Sequence, residues 1–115
     1  MEIIGKKIKK SEFIKKFLNY FETVSKAVID VEKKIIAADA ELHSDLEVIL
    51  LENGSKQENL WGINLYPFKD RSDFVEFTSL INIRPHQDNR SMEVEDNDVK
   101  EKIKKIIDEL IDYES

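Results

Sequence analysis

The sequence contains no cysteine, one tryptophan, two prolines and three glycines among its 115 residues. Without cysteine there is no disulfide, no thiolate metal site and no cysteine nucleophile. No apolar run approaches the roughly 20 residues that a membrane-spanning helix needs. The basic start of the chain also lacks the apolar segment of a signal peptide. From these absences we expect a cytoplasmic protein with no membrane association.

Charged residues make up 37% of the chain, and the acids exceed the bases to give a formal net charge of −6. Nucleic-acid binding depends on neutralising phosphates with lysine and arginine, so an acidic chain argues against that partner. Apolar residues make up 41% of the chain, which is enough for a hydrophobic core. The length and the few helix or strand breakers predict a single domain over residues 1–115.

Apolar residues at helical spacing predict a helix at each end of the chain. Ser11 can cap the first, which we expect to span about residues 11–24. The last helix is capped by Asp96 or Asp98 and is the clearest in the chain. A third, short helix is predicted near Leu46, where Ser44 and Glu47 fit a capping box. Its end is marked by Asn53-Gly54, since glycine readily adopts the left-handed conformation.

Residues 27–42 admit two interpretations, either an extension of the first helix or a β-hairpin, and we favour the hairpin. A two-residue turn at Lys33-Lys34 would pair Val31 with Ile36 and Ile29 with Ala38. That register places one set of apolar side chains on a single face: Ala27, Ile29, Val31, Ile36, Ala38 and Ala40. The opposite face would carry acids: Asp30, Glu32, Asp39 and Glu41.

Residues 60–66 and 75–84 alternate between apolar and polar side chains, as half-buried strands do. In the first, Trp61 shares the inward phase with Ile63 and Leu65, and each segment ends at a proline. Strands joined by short links favour antiparallel pairing. The predicted fold is therefore α+β: an antiparallel sheet of about four strands with helices packed on one face, a two-layer sandwich.

Two of the three arginines lie in the polar segment 84–91, which follows the end of a predicted strand. The planar guanidinium group suits carboxylate or phosphate recognition. Strand phase would bring polar residues of both strands to the same corner, so we predict a ligand-binding set of Asn64, Tyr66, Asn82, Arg84, Asn89 and Arg90. The alternative is that the arginines pair with nearby acids: Glu93, Glu95 and Asp96.

No catalytic residues can be assigned from the sequence. His43 and His86 are the two histidines, and no fixed spacing ties either of them to a nucleophile or an acid. His43, Asp45 and Glu47 could meet at a metal ion on a strand, but the capping-box interpretation needs no metal. We therefore expect neither a metal nor a cofactor.

Two segments carry a resemblance to a known family. They are Gly54–Pro67, which contains Leu-Trp-Gly-Ile-Asn-Leu-Tyr-Pro, and Asn82–Ser91, which contains Asn-Ile-Arg-Pro and Asn-Arg-Ser. Together they resemble a family of small prokaryotic proteins known only as a domain of unknown function. The resemblance extends from about Lys26 to the final helix. It implies no activity.

Three functions remain open on this evidence. The first is a small binding or regulatory module that recognises an anionic small molecule or a protein partner through the predicted corner. The second is a small hydrolase or transferase that uses His43 or His86 with acidic residues. The third is a homodimer that forms through the sheet face and has no ligand. A flat polar face would favour the first, and a deep cleft would favour the second.

Overall fold

The computed structural model describes residues 1–113, and an antiparallel sheet of five strands runs through its centre. The strands are β1 (Glu2–Ile4), β3 (Ser25–Asp30), β4 (Ile35–Ala38), β5 (Leu60–Leu65) and β6 (Val75–Glu76), in the spatial order β1-β4-β3-β5-β6. Strands β2 (Ile8–Lys9) and β7 (Ile111–Asp112) pair in parallel apart from this sheet. The helices are α1 (Lys10–Lys16), α2 (His43–Glu52) and α3 (Asn97–Leu110). The predicted α+β class is confirmed.

Strands β3 and β4 form the predicted hairpin, but its register differs by two residues. Ile29 lies opposite Ile36, and residues 31–34 form a four-residue loop in place of the predicted two-residue turn. Asp30 explains this loop: its Oδ1 accepts hydrogen bonds from the amides of Glu32 and Lys33, both at 2.9 Å. A shift of two residues preserves which side chains share a face, so the predicted apolar face largely survives.

Helices α1 and α3 pack on that face, as predicted. Their apolar side chains join those of β3, β4 and β5 in the main core, which contains Phe13, Phe17, Ala27, Ile29, Ile36, Ala38, Trp61, Ile63, Leu65, Ile103 and Ile107. Trp61 is only 5% exposed, which confirms its predicted inward phase. Asp96 caps α3 by accepting from the amide of Asp98 at 2.8 Å.

The first helix is shorter than predicted and ends at Lys16 instead of about residue 24. Beyond it, the carboxylate of Asp39 accepts hydrogen bonds from the amide and the side chain of Asn19, at 3.0 and 2.6 Å. This buried acid ties residues 17–24 to the end of the hairpin. Within that segment Phe17 packs in the core, but the chain beyond Lys16 does not continue the helix.

Helix α2 covers the opposite face of the sheet, which the sequence predicts to carry acids. Leu46 and Leu50 form a second core with Val28, Ala37 and Leu60. The sheet is therefore the middle layer of three, where the sequence predicted two layers.

The predicted capping box is wrong. The helix begins at His43, its N-cap is Leu42, and no side chain caps it. The predicted end is confirmed, since Gly54 has φ of 91° and the Ser55 amide donates to the Leu50 carbonyl.

The predicted strand over residues 75–84 is mostly wrong. β6 ends at Glu76, a 3₁₀ helix forms at Leu80–Asn82, and a second one follows the segment at Pro85–Gln87. The alternation of polar and apolar residues there comes from turns that lie along β5. Among the helices of residues 1–113, none is long and apolar enough to cross a membrane.

Candidate functional site

The side chain of Asn82 forms hydrogen bonds with the backbone of β5, as a neighbouring strand would. Its Oδ1 accepts from the amide of Gly62 at 2.8 Å, and its Nδ2 donates to the carbonyl of Gly62 at 2.9 Å. The 3₁₀ turn can approach this closely because Gly62 has no side chain. A Cβ at Gly62 would overlap the Cβ of Ser79 and lie 2.6 Å from its Oγ. The close packing of Ser79 therefore explains why a glycine follows Trp61.

Arg84 is buried and binds backbone carbonyl groups. Its guanidinium donates to the carbonyls of Ile81 (3.0 Å), Gln57 (2.7 Å) and Leu60. The guanidinium carbon also lies 4.6 Å from the centre of the Trp61 ring. Burial lowers the pKa of Arg84, and the negative charge of Glu47 opposes that decrease. Because these donors are occupied within the protein, Arg84 holds the turns against β5.

Asn89 has a similar position in the loop that follows. Its Nδ2 donates to the carbonyls of Asn82 and Glu93, each at 2.8 Å, and its Oδ1 accepts from the amide of Glu95 at 2.9 Å. Arg90, by contrast, is exposed. Its backbone amide donates to the Glu95 carboxylate, and hydrogen bonds from Ser91 and Arg90 to that carboxylate lower the pKa of Glu95.

Asn64 and Tyr66 form a separate pair near β6. Both donate to the same carboxylate oxygen of Glu76, Asn64 at 2.7 Å and Tyr66 at 3.1 Å. Burial, together with the contact to Glu76, raises the pKa of Tyr66. The structure therefore divides the predicted set into buried residues that bind backbone (Asn82, Arg84, Asn89), an exposed arginine (Arg90) and this pair. Ligand binding by the full set stays a prediction.

A groove of about 460 Å³ opens at the start of α2, where the helix leaves part of the sheet uncovered. We call it the His43 groove. Lys26 and Asn64, which are cross-strand partners on β3 and β5, lie on the sheet side. The remaining lining residues come from the start of α2 and from the turn beyond β6: Leu42, His43, Ser44, Thr78, Ser79, Leu80, Ile81 and Met92.

The polar groups in the His43 groove are not all paired. His43 Nε2 lies 2.8 Å from the carbonyl oxygen of Ile63. Burial lowers the pKa of His43, and the positive charge of Lys26 adds to the decrease, whereas the Ile63 carbonyl and the Asn64 side chain oppose it. The ring is then neutral near pH 7, with Nε2–H donating to Ile63. Among residues 1–113, no hydrogen bond of good geometry reaches the buried Asn64 Oδ1.

Charge and apolar surface are distributed unevenly in this groove. The lining residues within the described chain contain one formal charge, that of Lys26, although the protein as a whole has a net charge of −6. The rim is apolar and accessible, since Leu42, Leu80 and Met92 are 53%, 71% and 41% exposed. The groove can therefore contact both an anion and an apolar group.

Sequence reasoning identified Asn64 and His43 individually but missed the groove they share. In the sequence, nothing distinguishes Lys26 from the other lysines, and the capping box predicted at Ser44 does not form. Leu42 and Leu80 are apolar residues outside any predicted apolar face, and that mismatch was the available signal. His86 is exposed on the Pro85–Gln87 turn.

Neither an acid–base pair nor a metal centre is found in the described chain. Within residues 1–113, no carboxylate contributes to the shifted pKa of His43. In the same residues, no three histidine, aspartate or glutamate side chains are grouped to hold a metal ion.

Comparison with known proteins gives a family but no activity. A family model described as "Protein of unknown function (DUF5674)" matches residues 2–110. The chain belongs to this family. The resemblance to a family of unknown function is thereby confirmed for DUF5674. No curated protein and no solved structure matches the chain.

Proposed function

We propose that the protein is a small binding module that holds a small organic anion with an apolar body in the His43 groove. The observation that carries this proposal is the charge of the groove: its one charged lining residue is a cation, in a protein of net charge −6. A local positive field in an acidic protein directs an anion to that place.

Two features of the groove favour the charged end of such a ligand. The Lys26 ammonium group can donate hydrogen bonds to a carboxylate. The first turn of α2 has no side-chain cap, and the unpaired amides at a helix start favour negative charge. The hydroxyls of Ser44 and Thr78 line the same groove and supply further donors.

The apolar rim of the groove can contact the uncharged, apolar part of the ligand. Leu42, Leu80 and Met92 expose apolar surface beside the polar groups. A volume of about 460 Å³ falls within the range of small-molecule sites. A ligand with a short aromatic or branched aliphatic body would cover this surface and keep its carboxylate at Lys26.

The test is calorimetric titration with 3-phenylpropanoate, with the neutral 3-phenylpropanamide as the matched ligand. We expect the acid to bind at least about tenfold more tightly, which is the contribution of one charge-assisted hydrogen bond. Lys26→Gln should remove this difference. Lys7→Gln is the matched control, because it makes the same charge change at an exposed residue far along the chain from the groove.

The same titration over pH adds an independent check. An anion in the groove stabilises protonated His43, whose pKa in the free protein lies below 6.5. Affinity for the acid should therefore rise as the pH falls below about 6.5, and His43→Gln should abolish this rise. Equal weak binding of acid and amide by wild type and both lysine variants would refute the proposal.

A further inference from the structure

We infer that the outer face of helix α2 is a docking surface for a basic amphipathic helix of another protein. This surface, which we call the α2 face, consists of Val48 and Leu51 on the helix, Leu80 at the start of the neighbouring 3₁₀ turn, and Ile83 directly after that turn. Of these four residues, only Leu80 also lines the His43 groove in the described chain. The inference is therefore independent of the proposed function.

Helix α2 has apolar side chains on both of its sides. Leu46 and Leu50 point to the sheet and are fully buried in the second core. At roughly 100° of rotation per residue, Val48 lies about 200° and Leu51 about 140° around the helix from Leu46. These two side chains are 50% and 40% exposed. A helix on the surface of a globular protein normally has a polar outer side.

Helix α3, on the opposite face of the sheet, has the normal pattern. All of its exposed residues are polar or charged: Asn97, Asp98, Glu101, Lys102, Lys104, Lys105, Asp108 and Glu109. Beside α2, by contrast, the turn at Leu80–Asn82 extends the apolar surface. It lies next to the helix because Ile81 packs against the second core, and it leaves Leu80 and Ile83 exposed. Neighbouring exposed apolar side chains of this kind mark an interaction surface.

The charges of α2 indicate which partner fits this surface. Residues 43–52 contain no lysine or arginine and three acids: Asp45, Glu47 and Glu52. Asp45 and Glu52 are exposed, and within residues 1–113 neither of them forms an ion pair. Lys33 is close to the end of the helix, but its ammonium group donates to the Asn53 carbonyl at 3.1 Å. A partner with lysine or arginine beside its apolar residues complements both the acids and the apolar surface.

A second copy of this chain and a membrane both fit the α2 face less well. In a two-fold dimer the same patch faces itself, so the acids of one α2 would lie against those of the other and repel them. An anionic membrane surface attracts basic segments, and the acids of α2 would oppose that contact. A basic helix avoids both repulsions. Amphipathic helices bind such surfaces through apolar residues at i, i+3, i+4 and i+7.

The experiment measures the fluorescence anisotropy of a labelled helical peptide titrated with the full chain. The peptide has about 14 residues, with leucine on one side and lysine on the other, as in helix-in-groove ligands. The matched peptide has glutamate at every lysine position. We expect the lysine peptide to bind at least about tenfold more tightly, because the acids of α2 attract one peptide and repel the other. Val48→Ser combined with Leu51→Ser should weaken its binding at least about tenfold, because two apolar contacts are lost.

A pair of charge variants locates the contact on α2. Asp45→Lys combined with Glu52→Lys should reverse the preference between the two peptides. Glu101→Lys combined with Glu109→Lys is the matched control, because it makes the same charge change on α3, on the opposite face of the sheet. It should keep the preference for the lysine peptide. All four positions are exposed, and circular dichroism checks that each variant retains the fold.

Several results would overturn this inference. Equal binding of the two peptides, or unchanged binding by the serine variant, would show that the α2 face does not dock a basic helix. An equal loss of preference in the α3 control would show only a general attraction between the peptide and an acidic protein. A dimer in sedimentation equilibrium that the serine variant abolishes would assign the face to a second copy. Binding to phosphatidylglycerol vesicles that the same variant abolishes would assign it to a membrane. Binding of 3-phenylpropanoate in the His43 groove stays a separate measurement.

Discussion

Two polar regions lie along β5, and they differ in whether their hydrogen bonds are complete. At Leu60–Gly62, Asn82 and Arg84 bond to the strand through side chains that are buried and paired. At Asn64, an equally placed amide has its nitrogen paired and its buried oxygen unpaired. We call the first the closed region, because its side chains are paired within the protein, and the second, which lies at the His43 groove, the open region.

This difference separates structural polar residues from candidate binding residues. Buried polar groups in folded proteins are nearly always paired, so a completed network needs no ligand to explain it. Arg84, with four donor contacts to protein atoms, needs no anion. Asn64 Oδ1 lacks such an explanation. Of the polar residues that the sequence singles out, Arg84 is thus used within the fold, whereas Asn64 lies at the groove.

The largest expected effect comes from breaking the closed region at Arg84. Arg84→Met keeps an unbranched side chain but leaves the carbonyls of Leu60, Ile81 and Gln57 without their guanidinium donor. Only the contact to Leu60 is fully buried. A buried carbonyl left unpaired costs about 1–3 kcal/mol, and the two partly buried carbonyls add less, so we expect a loss of about 2–4 kcal/mol in the free energy of unfolding. Urea denaturation measures this loss.

The matched control is Arg90→Met, which makes the same chemical change at an exposed position in the same loop. It should alter stability by no more than about 0.5 kcal/mol. If Arg84→Met costs less than about 1 kcal/mol, Arg84 does not hold the turns against β5.

A smaller effect is expected from adding a side chain at Gly62, where Ser79 already packs against the backbone. Gly62→Ala places a methyl group against Ser79, and overpacking of this kind costs about 1–3 kcal/mol. Gly5→Ala is the control, because a Cβ there would make an ordinary contact, 3.7 Å from Ile35. Ser79→Gly should reduce the cost of Gly62→Ala, and a double-mutant cycle measures that coupling. Additive effects of the two changes would show that the steric conflict is relieved elsewhere.

The fold could be predicted from the sequence where apolar spacing reports burial directly. The last helix and the hairpin could be predicted in this way. Ile103 and Ile107 follow the helical period on α3, and Ile29 and Ile36 follow the strand period on the hairpin. The register of the hairpin could not be predicted. It depends on Asp30, which binds two amides of its own loop and also accepts from Ser55 Oγ at 2.6 Å, a residue far along the chain.

The candidate site was also less predictable, because it too depends on contacts between residues that are far apart along the chain. Strand-like alternation in residues 75–84 was produced by turns in which Asn82 points at Gly62, a contact that exists only in three dimensions. The groove likewise depends on how far α2 extends over the sheet. That position is set by Leu46 and Leu50 in the second core, and nothing local to His43 or Lys26 encodes it.

The smallest expected effect tests the open region through His43 in the absence of any ligand. Burial lowers its pKa below 6.5 in the folded protein, whereas the unfolded chain keeps the ordinary value. As the pH falls through 6.5, the unfolded chain binds a proton before the folded protein does, so the free energy of unfolding decreases. His43→Gln should therefore lose less stability than wild type between pH 7.5 and 5.5 in urea denaturation. His86→Gln removes an exposed histidine and should follow wild type, which separates the buried ring from the general titration of the protein. If the two variants show the same dependence on pH, the His43 ring is not buried against the sheet as described, and the open region loses its neutral donor to Ile63.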